Sequence, residues 1–350
     1  MSTATSPLAC SAFWFTADRT TLLARNLDTP FADGYLFACP RGREKRSLLP
    51  NALRPAHWIN RYGALTFNTI GRGLPMGGIN ETGFVVEHLH MPGSVYPAAR
   101  GRPQLLEFEW IQYLLDNCNG VAEALLAMDQ VAIAAHRIGM HFLLADAAGL
   151  CALVEFRAGS RQVYTQRFLE RPLITNDWYE DSLAHLGGHA GFGGSAPVRM
   201  ASRESLDRFA IVAALCRDLS PGLEKDATHL EAMRILDAVQ NNTVLSVVYE
   251  PAAKTLAYKT QRNQQVRRLS LAEFDFAANA GEVMIDMHAS AEARPPYDEV
   301  LNIASMRKAV SAHDEFLQLG PLLFPTRCTD SIAAGATEAS ARSAAAAIPD

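Results

Sequence analysis

The sequence predicts an α+β fold in which two mostly antiparallel sheets lie between helical layers, and three observations carry that prediction. Runs rich in aromatic and β-branched residues, broken by polar turns, alternate with runs of helical periodicity in the order strands, two helices, strands, two helices, strands. Hydrophobic residues make up 49% of the chain and charged residues 20%, the balance of an ordinary globular protein, so patterning must specify the fold. A chain of 350 residues is also long enough to bury a large core.

The elements follow in order. Residues 10–28 read as a hairpin, with CSAFWF before the turn Ala17-Asp18-Arg19 and TLLARNLD after it. A second strand pair is expected at 65–70 and 83–89, with 77–83 as the glycine-rich turn before the latter. Leu106, Trp110, Tyr113 and Leu114 recur three to four apart and predict a helix over 105–117; 121–128 repeats the period. Strands return at 140–145 and 151–156 around the turn Asp146-Ala147-Ala148-Gly149, and continue at 163–166 and 173–175. Residues 187–197, rich in Gly, Ala and Ser, read as a flexible loop. Helices fit 205–219 and 227–239, and strands fit 244–249 and 255–259. The Ala- and Ser-rich stretch 327–350 has too little bulk to bury and is expected to be a disordered tail beyond a single domain at 10–326.

Composition excludes several classes of function. A net charge of -5 supplies no phosphate-seeking field, and the compact basic run Arg41, Arg43, Lys45, Arg46 reads as a solvated loop, so nucleic acid is not an expected partner. The six cysteines show no paired spacing, which argues against a zinc cage or a disulfide framework. No run approaches the roughly 20 apolar residues of a membrane span, and the start lacks the features of a secretory signal. A cytoplasmic location and no membrane partner are therefore expected.

Cys10 is the first residue that suggests chemistry, because it opens a strand directly after a short leader ending in Ala9. Arg25-Asn26-Leu27-Asp28 ends the returning strand and can bring a cation and a carboxylate beside it. LITND at 173–177 and SLDRF at 205–209 are further pieces, and Arg203 stands just before the second.

These pieces, with GGINETGF at 77–84, LEFEWIQYLLDNCNGVAEAL at 106–125 and HFLLADAAGLCALVEF at 141–156, occur in the order in which the chain resembles the choloylglycine hydrolase family. That family contains bile salt hydrolases and penicillin V acylases and belongs to the N-terminal-nucleophile (Ntn) superfamily. The resemblance implies a four-layer αββα Ntn-hydrolase sandwich that cleaves linear, non-peptide amide bonds. It implies Cys10 as nucleophile, Arg25 and Asp28 beside its thiol and amine, Asn176 in or supporting the oxyanion hole, and Arg208 completing the polar cluster. It implies no cofactor and no metal, a small acyl-amide substrate as partner, and a homo-oligomer such as a tetramer.

Elementary chemistry is consistent with those roles. An α-amine and a thiol titrate close together, so one terminal cysteine can supply nucleophile and base. A guanidinium favours the thiolate, a carboxylate holds the amine, and preorganised donors stabilise the oxyanion before water cleaves the thioester. Residues 1–9 must first be removed, because a peptide nitrogen is planar and accepts no proton; self-cleavage by Cys10 is the expected route.

His90 departs from the family pattern, standing where bile salt hydrolases carry Asn and penicillin V acylases Tyr. His88 faces the same side, but no third metal ligand accompanies the pair, and His90 is expected to shape the oxyanion site through its backbone or ring. The other histidines, His185 and His189 among them, show no ligand pattern. The loops after His90 and around 178–179 and 187–195, with Trp14, Tyr96, Trp178 and Tyr179, are expected to shape an apolar acyl pocket. Phenoxyacetyl amides, fatty amides such as acyl-homoserine lactones, and bile salt conjugates are the candidate substrates. Acyl transfer, a papain-like thiol hydrolase and an unprocessed binding protein are the other readings.

Overall fold

The computed structural model describes residues 9–17, 20–29, 31–134, 138–165, 168–219, 225–290, 293–312 and 320–323. The expected leader, apart from Ala9, and the expected tail lie outside them.

The chain opens with the predicted hairpin, β1 (Ala9–Ala17) and β2 (Thr20–Asp28). There follow β3 (Tyr35–Cys39), the short pair β4 (Glu44–Arg46) and β5 (His57–Ile59), then β6 (Ala64–Asn68), β7 (Gly77–Asn80) and β8 (Val85–His90). A short β9 (Gln104–Leu105) leads into α1 (Glu107–Asn117) and α2 (Val121–Ala127), and β10 (Ala132–Ile133) pairs back on β9. Next come β11 (Met140–Ala145), β12 (Cys151–Arg157), β13 (Ser160–Thr165) and β14 (Leu173–Ile174). Three helices follow, α3 (Tyr179–Gly187), α4 (Ser205–Arg217) and α5 (Lys225–Ala238). Then come β15 (Thr243–Glu250), β16 (Thr255–Thr260), β17 (Arg267–Ser270), β18 (Val283–Asp286), α6 (Glu299–Ala312) and a short α7 (Gly320–Leu323).

Two sheets organise these elements, one ordered β14-β1-β2-β15-β16-β17 and the other β13-β12-β11-β8-β7-β6-β3-β18. Their ladders are antiparallel throughout. The sheets meet through β1 and β2 against β8; α1 covers β7 and β8 on one side, and α4 and α5 cover β1, β2, β14 and β15 on the other. The result is the expected αββα sandwich. Burial on both faces explains why β2 reads as a continuous apolar run instead of an alternating one: Leu22, Leu23 and Ala24 are fully covered. Arg25 and Asn26 are just as buried, so the same strand carries polar groups into the interior.

Several local expectations are corrected. Residues 77–80 form β7, and the turn is confined to residues 81–83, where Asn80 Oδ1 accepts from Thr82 N, Thr82 Oγ1 and Phe84 N. Asn80 Nδ2 also donates to the carbonyls of Leu115 and Cys118, which ties the hairpin to the end of α1. Tyr179 begins α3 and is 1% exposed, packed on Tyr164 and Phe209. The 187–197 loop is folded on itself by Ala190 N–H to Ala196 O and Ala196 N–H to Gly188 O. The basic run is a solvated loop only in part: Arg41 and Arg46 are exposed, whereas Lys45 lies in β4 and pairs with both oxygens of the buried Asp116 at 2.9 Å.

Candidate active site

β1 and β2 pair in a register that sets Cys10 opposite Leu27 and Ala9 opposite Asp28, so Cys10 lies between the end of β2 and the start of the chain. Cys10 is 2% exposed, and its Sγ lies 3.9 Å from Arg25 Nη2. Arg25 is held from several directions. Nη1 donates to Met76 O at 2.8 Å and pairs with Glu87 Oε2 at 2.9 Å, while Nη2 donates to His88 O at 3.0 Å. Tyr249 Oη donates to Glu87 Oε1 at 2.6 Å, which fixes the anion in turn. Gly77 makes this possible, since a Cβ there would lie 2.1 Å from Glu87 Oε2.

Asp28 accepts from Thr243 Oγ1 at 2.5 Å, where β15 changes register against β2 between Thr243 and Leu245. Its other oxygen, Oδ2, is buried without a hydrogen bond. Burial pushes the Asp28 carboxyl up to about 7, against the pull of Thr243, Arg208 and Arg25. Burial likewise raises the Cys10 thiol, with Arg25 opposing and Asp28 reinforcing the shift. Burial also raises the Glu87 carboxyl, opposed by Arg25, and holds the His88 imidazole well below its ordinary range.

Asn176, just past β14, ties the cluster together. Its Oδ1 accepts from Cys10 N and from Arg208 Nη2, both at 2.8 Å, and its Nδ2 donates to His90 O at 2.7 Å. Two donors face one atom and an acceptor faces the other, so the amide orientation follows from its partners. Asn176 N–H donates to Ser205 Oγ, which joins β14 to the first turn of α4. From that turn Arg208 reaches inward, with Nη1 donating to Cys10 O and to Ser11 Oγ, the latter at 2.8 Å. Arg208 is 1% exposed whereas Arg203 lies at the surface, so Arg208 is the arginine that joins the cluster.

A small cleft opens beside Cys10, lined by Leu27, Thr29, Met76, His88, His90, Phe108, Ile138 and Met140. The face-sharing of His88 and His90 is thus realised, since both line the cleft, and His90 also gives its carbonyl to Asn176. None of Trp14, Tyr96, Trp178 and Tyr179 lines this cleft, contrary to expectation. Trp178 instead stacks under Arg157, with the guanidinium 5.2 Å from the ring centroid. Glu87, Tyr249, Thr243 and Ser205 are the members of the cluster that sequence reasoning missed. Only Glu87 offers a signal, an acid within the otherwise apolar run FVVEHL.

Comparisons with known proteins bear on the fold and the family. Two solved structures share the fold: a penicillin V acylase from Agrobacterium tumefaciens, with a TM-score of 0.71 and 20% identity over 83% of this chain and 98% of that one, and a mutant conjugated bile acid hydrolase from Clostridium perfringens, with a TM-score of 0.62 and 16% identity over 83% and 97%. A penicillin V acylase from Pectobacterium atrosepticum is 23% identical over 180 residues, 47% of each chain, so the match spans about half the length of that relative. The model for linear amide C–N hydrolases of the choloylglycine hydrolase family matches residues 10–196, from Cys10 through α3. With the match beginning at the buried cysteine and covering more than half of the chain, the protein belongs to the choloylglycine hydrolase family.

Proposed function

We propose that the protein hydrolyses a linear amide through a thioester on Cys10, after removal of residues 1–9 frees the Cys10 amine. The observation that carries this reading is the set of ionisable groups packed around the thiol: Arg25 paired with Glu87, together with Arg208 and Asp28, all of them buried. A lone thiolate would add an uncompensated charge, which burial penalises. An ammonium on the same residue cancels it. The unpartnered Asp28 Oδ2 is a ready acceptor for that ammonium, and Asn176 Oδ1 is a second.

In this scheme the thiol proton passes to the Cys10 amine as sulfur attacks the amide carbonyl. The second hydrogen of Asn176 Nδ2, beyond the one given to His90 O, is a candidate oxyanion donor. Collapse of the tetrahedral adduct expels the amine product, which takes its proton from the Cys10 ammonium; water then attacks the thioester with the amine again as base. Arg208 and Asn176 keep residue 10 in register, and Arg25 supplies the field that favours sulfur as an anion.

The lining of the cleft favours an apolar or aromatic acyl group, because Leu27, Met76, Phe108, Ile138 and Met140 offer no charge to a polar one. Penicillin V acylase-like activity on phenoxyacetyl amides is the favoured reading, and fatty amides and bile salt conjugates are the arms to compare. Intact-mass measurement together with product release from these three substrates tests the scheme. A chain beginning at Cys10 is expected to turn over, and Cys10→Ala is expected to be inactive; an unprocessed chain with full activity refutes it.

A further inference from the structure

Away from Cys10, α3 and α4 bring together three side chains that the proposed chemistry does not use. His185 lies in α3 and His189 two residues past its end, with ring centroids 4.7 Å from each other, and Asp207 faces them from the first turn of α4. One ligating atom from each of the three lies within 4.8 Å of the others. We propose that His185, His189 and Asp207 form a binding site for one divalent ion of the zinc class, revising the expectation of no metal.

The donor set selects the ion. Two imidazole nitrogens and one carboxylate oxygen suit Zn²⁺, Co²⁺ or Ni²⁺, whereas Mg²⁺ and Ca²⁺ need more oxygens than the cluster offers. The orientation of His189 is already that of a ligand. Its Nδ1 lies 3.0 Å from the backbone carbonyl of His185, which places the proton on Nδ1 and leaves the Nε2 lone pair for a metal. A hydrogen bond between His185 Nε2 and Asp207 Oδ1, at 3.2 Å, brings the second and third donors together without involving His189. An ion at about 2.0–2.2 Å from each donor requires the three atoms, now within 4.8 Å of one another, to draw in to no more than about 4.4 Å.

Two features keep the site accessible. His185 is 31% exposed at its side chain, which leaves an open side for water as a fourth ligand. Arg199 pairs with Asp207 Oδ2 at 3.2 Å, but its side chain is 71% exposed, so the guanidinium can turn into solvent at little cost when a cation replaces it. Asp207 and His189 themselves are 3% and 5% exposed, which fixes two of the three donors in the packed interface between the helices.

Calorimetric titration of the full chain with ZnCl₂ tests the proposal. The expected result is one Zn²⁺ per chain, with affinity reduced at least about tenfold in His185→Ala and in His189→Ala. X-ray absorption at the zinc edge of the unmutated protein gives a readout that does not depend on how the variants fold: a shell of nitrogen and oxygen with imidazole scattering is expected. Failure of the unmutated chain to bind Zn²⁺, binding retained in both variants, or sulfur in the zinc shell would each overturn the site, the last by moving the ion to a cysteine. Competition by equimolar Mg²⁺ would overturn the zinc-class assignment.

Discussion

Asp28 offers a direct test of the electrostatics at residue 10. With residues 1–9 still attached, its carboxyl moves from 3.8 to about 7 because burial outweighs its hydrogen bond and the two guanidinium groups. A carboxyl whose folded value is raised contributes stability below the unfolded value and loses it as pH rises through the folded value. At about 1.4 kcal/mol for each pH unit, the displacement of about three units corresponds to roughly 4 kcal/mol lost between pH 4 and pH 7–8. Asn is a neutral isostere that can still accept from Thr243, so Asp28→Asn should remove this dependence. The comparison is best made in a Cys10→Ala background, which cannot process itself. Urea unfolding midpoints at half-unit pH intervals would then be converted to free energies for Cys10→Ala with and without Asp28→Asn. The other buried acids cancel in the difference, which is expected to grow in favour of the Asn variant by roughly 4 kcal/mol across the window. A difference that stays constant from pH 4 to pH 8 would refute the reasoning. In the processed protein the neighbouring ammonium should hold Asp28 ionised, so the same mutation should lose this pH signature.

Other perturbations have distinct outcomes. Glu87→Gln leaves Arg25 as a buried cation without its anion, and a loss of about 3–5 kcal/mol is expected in chemical denaturation; a loss below about 1 kcal/mol would mean that the backbone acceptors alone satisfy Arg25. Arg208→Lys cannot span Cys10 O, Ser11 Oγ and Asn176 Oδ1 with one fixed fork, so kcat should fall on the order of a hundredfold in a steady-state amide assay. Gly77→Ala forces a methyl group against Glu87 and should cost about 1–3 kcal/mol, measured as a lowered thermal midpoint. Phe108→Leu should change the preference between aromatic and aliphatic acyl groups several-fold, while Trp178→Ala should leave it unaltered in the same competition assay.

The sequence made the strand-rich core and the main helices legible because their periodicities are local. Cys10, Arg25, Asp28, Asn176 and Arg208 were legible through ordered motifs, and the structure brings all five into one cluster. What escaped has a physical cause in each case. β7 was hidden because Gly77 and Gly78 read as turn formers, although Gly77 serves to admit the Glu87 carboxylate. α3 was hidden because Trp178 and Tyr179 look like loop aromatics until α4 covers Tyr179 with Phe209. Thr243 and Tyr249 act only through partners far away in the chain, and nothing in their own neighbourhood announces Asp28 or Glu87. His185 and His189 stand four residues apart, but His189 lies past the end of α3 and their third companion belongs to α4.

The polar cluster at Cys10 and most of the wall of the cleft beside it come from different layers, with Leu27 and Thr29 the exceptions. Cys10, Arg25, Asp28 and Asn176 belong to or adjoin the sheet of β1 and β2, whereas His88, His90, Phe108 and Met140 come from β8, β11 and α1 of the opposite half. The halves are nonetheless tied together, because Arg25 leans on Glu87 and His88 O and Asn176 on His90 O. A change of side chain on β8 or α1 can therefore reshape the cleft only while the backbone carbonyls that hold Arg25 and Asn176 stay in place.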